Sequence, residues 1–277
     1  DLHRRRHSFP TRRSSDLMSQ NTKELKLAVL IDADNVPYSN VKGMMEEIAK
    51  FGTPTTKRIY ADWTKPNANG WKSVLLEHAI TPIQQYSYTV GKNSSDSAMI
   101  IDAMDLLYSD KVDGFCIVSS DSDFTRLAIR LRESGMKVIG IGEKKTPNSF
   151  IVACDRFIYI EVLDGAIKKK TPKRINVSET KKTVEKEIEK EITTKIDSKT
   201  IDLIEATLEA IGDEDGWAFL GDVGNLIVKK KPEFDPRNYG FSKLTPMLKS
   251  MSEILEIDER DSDKKGIKHV FVRLRYT

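Results

Sequence analysis

The segment Leu27–Asn35 reads LAVLIDADN, five consecutive apolar residues followed at once by two carboxylates and an amide. A continuous apolar run of this length is typical of a strand that is buried on both faces of a parallel sheet. Farther along the chain, short runs rich in β-branched residues alternate with longer amphipathic stretches. This alternation is the pattern of βαβ units. The sequence therefore predicts an α/β domain with a doubly wound, mainly parallel sheet.

The remaining elements of this domain follow from hydrophobic periodicity. Further strands are predicted at Lys57–Ala61, Pro82–Gln85, Gly114–Ser119 and Lys137–Ile141, and an edge strand at Phe157–Ile160. Helices are predicted at Val41–Phe51, Asn69–Ala79, Ser94–Tyr108 and Phe124–Ser134. The unit is expected to close near Leu163.

Composition divides the chain into four segments. Residues 1–17 are rich in Ser and Arg and resemble a translated adapter sequence, so Met18 is expected to be the true start. Residues 18–163 hold the α/β domain. Residues 164–198 are rich in Lys, Glu and Thr, lack aromatic residues, and are expected to form a linker. Residues 199–277 predict three helices and a β-hairpin, which is the order of a small winged-helix domain.

Charge and cysteine content restrict the function classes only weakly. Five arginines and two aspartates lie in residues 1–17, so the rest of the chain carries 40 basic and 40 acidic side chains. The overall charge is therefore no argument for nucleic-acid binding. Cys116 and Cys154 have no metal-ligand spacing and are expected to be buried thiols. Because no apolar run reaches 18 residues, we expect a cytoplasmic protein without membrane association.

Acidic side chains follow two predicted strands and open one predicted helix. Asp32 follows the first strand, Asp121 and Asp123 follow the fourth, and Asp96 lies at the start of the helix before it. If the first and fourth strands are neighbours, these side chains meet at the topological switch point. Carboxylates so close repel one another, and a divalent cation would relieve the repulsion. With no His or Cys at hand, Mg²⁺ or Mn²⁺ fits better than Zn²⁺.

Such a site suits attack of water on a phosphodiester. We expect Asp32, Asp96, Asp121 and Asp123 to hold the metal, directly or through water. Asn35 is expected to orient a ligand or bind phosphate, and Lys92 to neutralise a phosphate oxygen. The simpler alternative is that each Asp only caps a helix, as Asp123 could at Phe124. Recurrence of acidic residues on three elements makes this alternative less probable for the set. Three further aspartates are expected to be structural or peripheral: Asp34, Asp102 and Asp105.

Four motifs resemble those of the NYN family of PIN-like nuclease domains, which includes LabA-like bacterial proteins. They are Ile31–Asn35, Lys92–Asp96, Ser119–Phe124 and Cys154–Phe157. The resemblance implies metal-dependent cleavage of RNA, with metal-binding positions at Asp32, Asp96, Asp121 and Asp123.

The C-terminal part resembles an OST-HTH or LOTUS domain. The similarity rests on the segments Gly216–Gly221, which reads GWAFLG, and Phe234–Phe241, which reads FDPRNYGF, and on Lys243-Leu244. It implies binding of RNA or of a protein partner and contributes no catalytic residue.

Two groups of side chains are candidates for RNA contacts. Arg126 and Arg130 lie one turn apart on the helix after the acidic pair. The second group lies in the C-terminal part and consists of Lys230, Arg237, Tyr239 and Lys243. For both groups, a solvated surface is an equally simple interpretation.

The leading hypothesis is a metal-dependent endoribonuclease whose linker lets an RNA-binding module raise the local concentration of single-stranded substrate. An alternative is a non-catalytic adaptor for RNA or protein. A third reading is a phosphatase, because Asp32-Ala33-Asp34 matches the DxD pattern of haloacid-dehalogenase-like enzymes. The sequence leaves open the RNA target, the cleavage polarity and the oligomeric state.

Overall fold

The computed structural model describes residues 24–64, 70–86, 94–164, 196–261 and 268–275. The N-terminal part is built on a six-stranded sheet in which every neighbouring pair is parallel. Its strands are β1 (Lys26–Asp32), β2 (Thr53–Ala61), β3 (Thr81–Gln84), β4 (Gly114–Val118), β5 (Lys137–Gly142) and β6 (Arg156–Tyr159).

The strand order is β3-β2-β1-β4-β5-β6. The chain begins in the middle of the sheet, proceeds outward through β2 and β3, and then crosses back to β4 on the other side of β1. The topological switch point therefore lies between β1 and β4, and their carboxyl ends meet at one edge. Both the doubly wound fold and the adjacency of the first and fourth strands are confirmed.

Helices cover both faces of the sheet. Alternate residues of β1 point to opposite faces, so they belong to two different cores. Leu27, Val29 and Ile31 join the core beneath α1 (Val41–Ile48), α2 (Trp71–His78) and α6 (Ile160–Asp164). Ala28 and Leu30 join the core beneath the other three helices. These are α3 (Ser94–Tyr108), α4 (Thr125–Glu133) and α5 (Asn148–Ala153). Cys116 and Cys154 are buried, one in each core, and both are free thiols.

The structure differs from the sequence prediction at β2 and α5. β2 begins at Thr53, four residues before the predicted Lys57, because Lys26 and Leu27 of β1 pair with Thr53 and Pro54. The first residues of β2 are mostly polar, so a search for apolar runs does not detect them. α5 was not predicted, since a helix of six residues is too short to show a helical period.

The C-terminal part forms a separate core from three helices and a three-stranded antiparallel sheet of order β7-β9-β8. Its elements are α7 (Ser198–Ile211), β7 (Ala218–Phe219), α8 (Leu220–Lys230), α9 (Leu244–Lys249), β8 (Leu255–Asp261) and β9 (Lys268–Leu274). The three helices and the hairpin confirm the predicted winged-helix-like fold. The two-residue strand β7 was not predicted. None of the described helices is long and apolar enough to cross a membrane.

The C-terminal part docks against the β6 edge of the large sheet. The Arg237 guanidinium donates two hydrogen bonds to Glu47 of α1, each 2.9 Å long. Asp235 accepts from Arg237 at 2.7 Å and from Arg156 of β6 at 3.3 Å. A backbone bond of 2.9 Å from the Phe157 amide to the Pro232 carbonyl adds to the contact. The described residues of the two parts are therefore joined by an ionic network and by a strand edge.

Two glycines test the packing of the N-terminal part. A Cβ on Gly114 would lie 2.6 Å from the Lys137 carbonyl oxygen, whereas a Cβ on Gly43 would meet Leu163 at 3.4 Å. We expect Gly114→Ala to lower the free energy of unfolding by about 1–3 kcal/mol, because the β5 backbone cannot move cheaply. Gly43→Ala should be neutral or stabilising by up to about 1 kcal/mol, since it lies in a helix. Urea unfolding measures both, and equal destabilisation by the two variants would contradict the packing described.

Candidate metal centre

Asp32 ends β1 as a buried carboxylate with three hydrogen-bond donors. Its side chain is 1% exposed. One oxygen, Oδ2, accepts from the Ser119 hydroxyl at 2.9 Å and from the Asn35 amide at 2.5 Å. The other, Oδ1, accepts from the Asp34 backbone amide at 3.2 Å. The Asn35 amide therefore orients Asp32, which is itself one of the expected metal ligands.

The end of β4 is tied to the end of β1 by one serine. Ser119 is fully buried; its hydroxyl donates to Asp32 and accepts from the Asp121 backbone amide at 3.1 Å. The Asp121 side chain in turn accepts from the Asp123 amide at 2.9 Å and caps the short helical turn Ser122–Phe124. The sequence offers Asp123 as a cap for the helix that begins at Phe124. In the structure α4 has no side-chain cap, and Asp121 caps the short turn before it.

Asp96 completes the group from the first turn of α3. It is 7% exposed. One carboxylate oxygen from each of Asp96, Asp121 and Asp123 lies within 4.8 Å of the others. Residues from two separate elements, the start of α3 and the loop after β4, thus converge on one point at the carboxyl edge of the sheet.

The electrostatics of this cluster disfavour charge. Burial, followed by the charges of Asp32, Asp121, Asp123 and Asp34, raises the pKa of Asp96 to about 6. Burial also raises the pKa of Asp32, although hydrogen bonds from Asn35 and Ser119 oppose this effect. Each acid therefore remains ionised at neutral pH only at a cost in free energy.

The donor set fits a hard divalent cation. Within the described residues, no Lys or Arg forms an ion pair with Asp32, Asp96 or Asp121. The cluster consists of carboxylate oxygens and includes no His or Cys, which matches the preference of Mg²⁺, Mn²⁺ or Ca²⁺ for oxygen ligands. A bound cation would replace mutual repulsion by attraction.

Comparison with known families agrees with this architecture. The family model for the NYN domain matches residues 26–161. The model for the OST-HTH/LOTUS domain matches residues 191–267. The chain is an NYN-domain protein with a C-terminal OST-HTH/LOTUS domain. The NYN domain is PIN-like, which agrees with the observed parallel sheet and its flanking helices.

Two solved structures are similar to parts of the chain. One is a protein of unknown function from Vibrio parahaemolyticus, 22% identical, with a TM-score of 0.43; the match covers 51% of this chain and 96% of that one. The other is an uncharacterized protein from Nitrosomonas europaea, 24% identical, with a TM-score of 0.27; the match covers 40% of this chain and 91% of that one. No curated protein matches the sequence significantly.

The candidate RNA contacts of the NYN domain do not all lie at the cluster. Arg126 is exposed in the first turn of α4, shortly after Asp123. Arg130 contacts the hydroxyl of Tyr108 at the far end of α3. Tyr108 is twelve residues from Asp96, or about 18 Å along a helix, so the expected role of Arg130 beside the cluster is not supported. Lys92 lies outside the described residues.

In the OST-HTH domain, three of the four candidate RNA contacts have partners within the protein. Arg237 joins the two domains through Glu47 and Asp235. The Tyr239 hydroxyl is bonded to Thr200, and Lys230 to the Thr207 hydroxyl. Lys243 directly precedes α9. The expectation that Arg237 contacts RNA is therefore corrected, because its guanidinium is committed to two buried carboxylates.

Sequence reasoning missed Ser119 and Ser120. Ser119 links Asp32 to Asp121, and the Ser120 hydroxyl accepts from the Glu143 amide at 2.9 Å, which ties the same loop to the end of β5. The available signal was a pair of small hydroxyl residues between a buried strand and an acidic pair. Side chains at this position are short enough to bond to neighbouring strand ends.

We expect Asp96→Asn to raise the free energy of unfolding by about 1–2 kcal/mol at pH 7 in EDTA, since it removes a buried like charge. The folded pKa is raised from 3.8 to about 6. This gain should therefore be nearly full above about pH 6 and decline as the pH falls, until it disappears near pH 3, where Asp96 is protonated in both states. Urea unfolding across this range measures it. Asp105→Asn, an exposed change on the same helix, is the control. Equal stability of Asp96→Asn and wild type at pH 7 would contradict carboxylate crowding.

Proposed function

We propose that the protein is a metal-dependent ribonuclease that cuts RNA internally. The observation that carries the proposal is the convergence of Asp96, Asp121 and Asp123 within 4.8 Å, beside the buried Asp32, on an NYN domain. A PIN-like fold and an RNA-binding type of second domain both support RNA as the substrate class.

The ion of this proposal is Mg²⁺ or Mn²⁺. Asp96, Asp121 and Asp123 would hold it, and Asp32 would contribute directly or through a water. When bound, the ion supplies a Lewis acid that activates water and neutralises charge on the phosphodiester. This chemistry needs no protein nucleophile. The phosphatase reading requires the first Asp of the DxD pattern to form a covalent bond, and it is disfavoured because Asp32 is 1% exposed and both of its oxygens accept hydrogen bonds.

The protein contributes geometry to this reaction. Ser119 and Asn35 hold the Asp32 carboxylate in one orientation through hydrogen bonds to the same oxygen, and the Asp123 amide fixes Asp121. These contacts reduce the reorganisation needed when substrate binds. Arg126 is exposed in the first turn of α4, and in this proposal it would attract a phosphate next to the scissile bond.

We expect Asp121→Asn to reduce Mn²⁺-dependent cleavage of single-stranded RNA at least about a hundredfold, because loss of a metal ligand removes several kcal/mol of stabilisation. The amide retains the oxygen that caps the Ser122–Phe124 turn, so the fold should persist. Asp105→Asn should cleave as wild type does. Gel analysis of labelled RNA with Mn²⁺ or EDTA measures the effect. If the wild-type protein leaves the RNA uncut with Mn²⁺ as well as with EDTA, the result would support the non-catalytic adaptor instead.

A further inference from the structure

Docking of the two domains creates a groove of about 650 Å³ between them. The NYN domain contributes residues at the amino ends of β5 and β6, Arg132 of α4 and Val152 of α5, and the OST-HTH domain contributes α8 and the loop after it. The charged residues of its lining are Arg132, Lys137, Asp155, Arg156 and Lys229. Neither domain alone would form both walls.

Cations outnumber acids in the lining of the groove. Arg132 and Lys137 share a single acid, Asp155, at 3.1 and 3.9 Å, and both remain more than two-fifths exposed. Lys229 approaches from the OST-HTH domain and forms no ion pair with any described residue. Arg156 also lines the groove but is paired with Asp235. Without Arg156, three basic side chains face one carboxylate in the lining. This excess of positive charge favours a polyanionic ligand.

The lining of the groove combines charged and apolar surface. A second cavity of about 700 Å³ adjoins it along the amino edge of the sheet and shares Arg132, Lys137 and Asp155. The other charged residues of that cavity, Asp113 and Glu133, are acidic, so the excess of positive charge is confined to the interdomain groove. Apolar side chains form part of the wall, including Val152 and Val228. The lining also includes the partly buried aromatic ring of Phe51. A groove that places cations beside such apolar surface suits a single strand whose bases contact the apolar wall while its phosphates pair with lysine and arginine.

The ionic network fixes the walls of this groove. Burial opposes the charge of Glu47, yet hydrogen bonds from Arg237 and Lys50 hold its pKa below the ordinary value. The same balance, with Arg237 as the main donor, lowers the pKa of Asp235. Both acids are therefore ionised and paired at neutral pH, which favours the docked arrangement.

We propose that this interdomain groove binds the phosphate backbone of the single-stranded RNA that the NYN domain cuts. The inference rests on the proposed function for the identity of the strand. The groove lies at the amino edge of the sheet and the acidic cluster at the carboxyl edge, and a six-residue strand such as β5 spans about 20 Å. The groove thus holds RNA several nucleotides away from the bond to be cut.

The test is binding of a fluorescein-labelled 20-nucleotide single-stranded RNA, followed by anisotropy in EDTA so that no cleavage occurs. We expect Lys137→Ala and Lys229→Ala each to weaken binding about threefold and the double variant about tenfold. The slope of log affinity against log salt should fall by about 0.7 for each lysine. Lys199→Ala, an exposed change in the OST-HTH domain outside the groove, should stay within twofold of wild type. A double variant that binds as wild type would overturn the proposal.

The outcomes separate this proposal from the proposed function. If wild type cleaves RNA but the double variant binds it as wild type does, the groove is not the binding site and the nuclease assignment stands. If the double variant loses binding and wild type never cleaves with Mn²⁺, the groove stands and the nuclease assignment fails. Both lysines are exposed, and circular dichroism of each variant verifies the fold.

A further variant tests whether the groove depends on docking. Glu47→Gln removes a negative charge, which by simple electrostatics would strengthen binding to RNA. If the paired Arg237 holds the walls together, the same change should instead weaken binding about threefold. The anisotropy assay measures whether Glu47→Gln strengthens or weakens RNA binding. Stronger or unchanged binding by Glu47→Gln would overturn the dependence on docking.

Discussion

Repulsion among carboxylates at the switch point is the constraint on which the rest of the site depends. A parallel sheet whose order reverses between β1 and β4 brings Asp32 and Asp121 to the same edge, and the start of α3 adds Asp96. Burial strengthens the repulsion by lowering the local dielectric. The fold sustains this arrangement because Ser119 and Asn35 bind the Asp32 carboxylate and because large apolar cores lie on both faces of the sheet.

The parts of the fold that sequence predicts are those with strong local signals. β1 and β4 are apolar runs buried on both faces, and the acidic residues follow them directly, so both the sheet and its acidic edge could be inferred from the order of residues. The start of β2 and the helix α5 were not predicted, because polar strand residues and a six-residue helix carry no periodic signal. The hydrogen bonds by which Ser119 links Asp32 to Asp121 were not predicted for a different reason, because they depend on the distance between two strand ends.

Arg237 shows where sequence reasoning about surfaces fails. A cation next to Asn238 and Tyr239 resembles a nucleic-acid contact as long as only neighbours in sequence are considered. Its partner Glu47 lies 190 residues earlier in the chain, and the pairing becomes visible only when the second domain is docked. Long-range ionic pairs between domains leave no mark on composition or periodicity. Because of these contacts, the OST-HTH domain packs against the NYN domain, whereas the sequence predicted a module held only by a linker.

The docked arrangement divides charge between opposite edges of one sheet. Acidic side chains gather where β1 and β4 end, and basic side chains outnumber acids in the interdomain groove where β5 and β6 begin. Near-equal totals of acidic and basic residues conceal this separation, so a neutral composition is compatible with a strongly polarised surface. A polyanion would be held at the basic edge and repelled from the acidic edge until a cation reduces the negative charge there. In the proposed function, binding and chemistry lie at different edges of the sheet, and only the chemistry requires the metal.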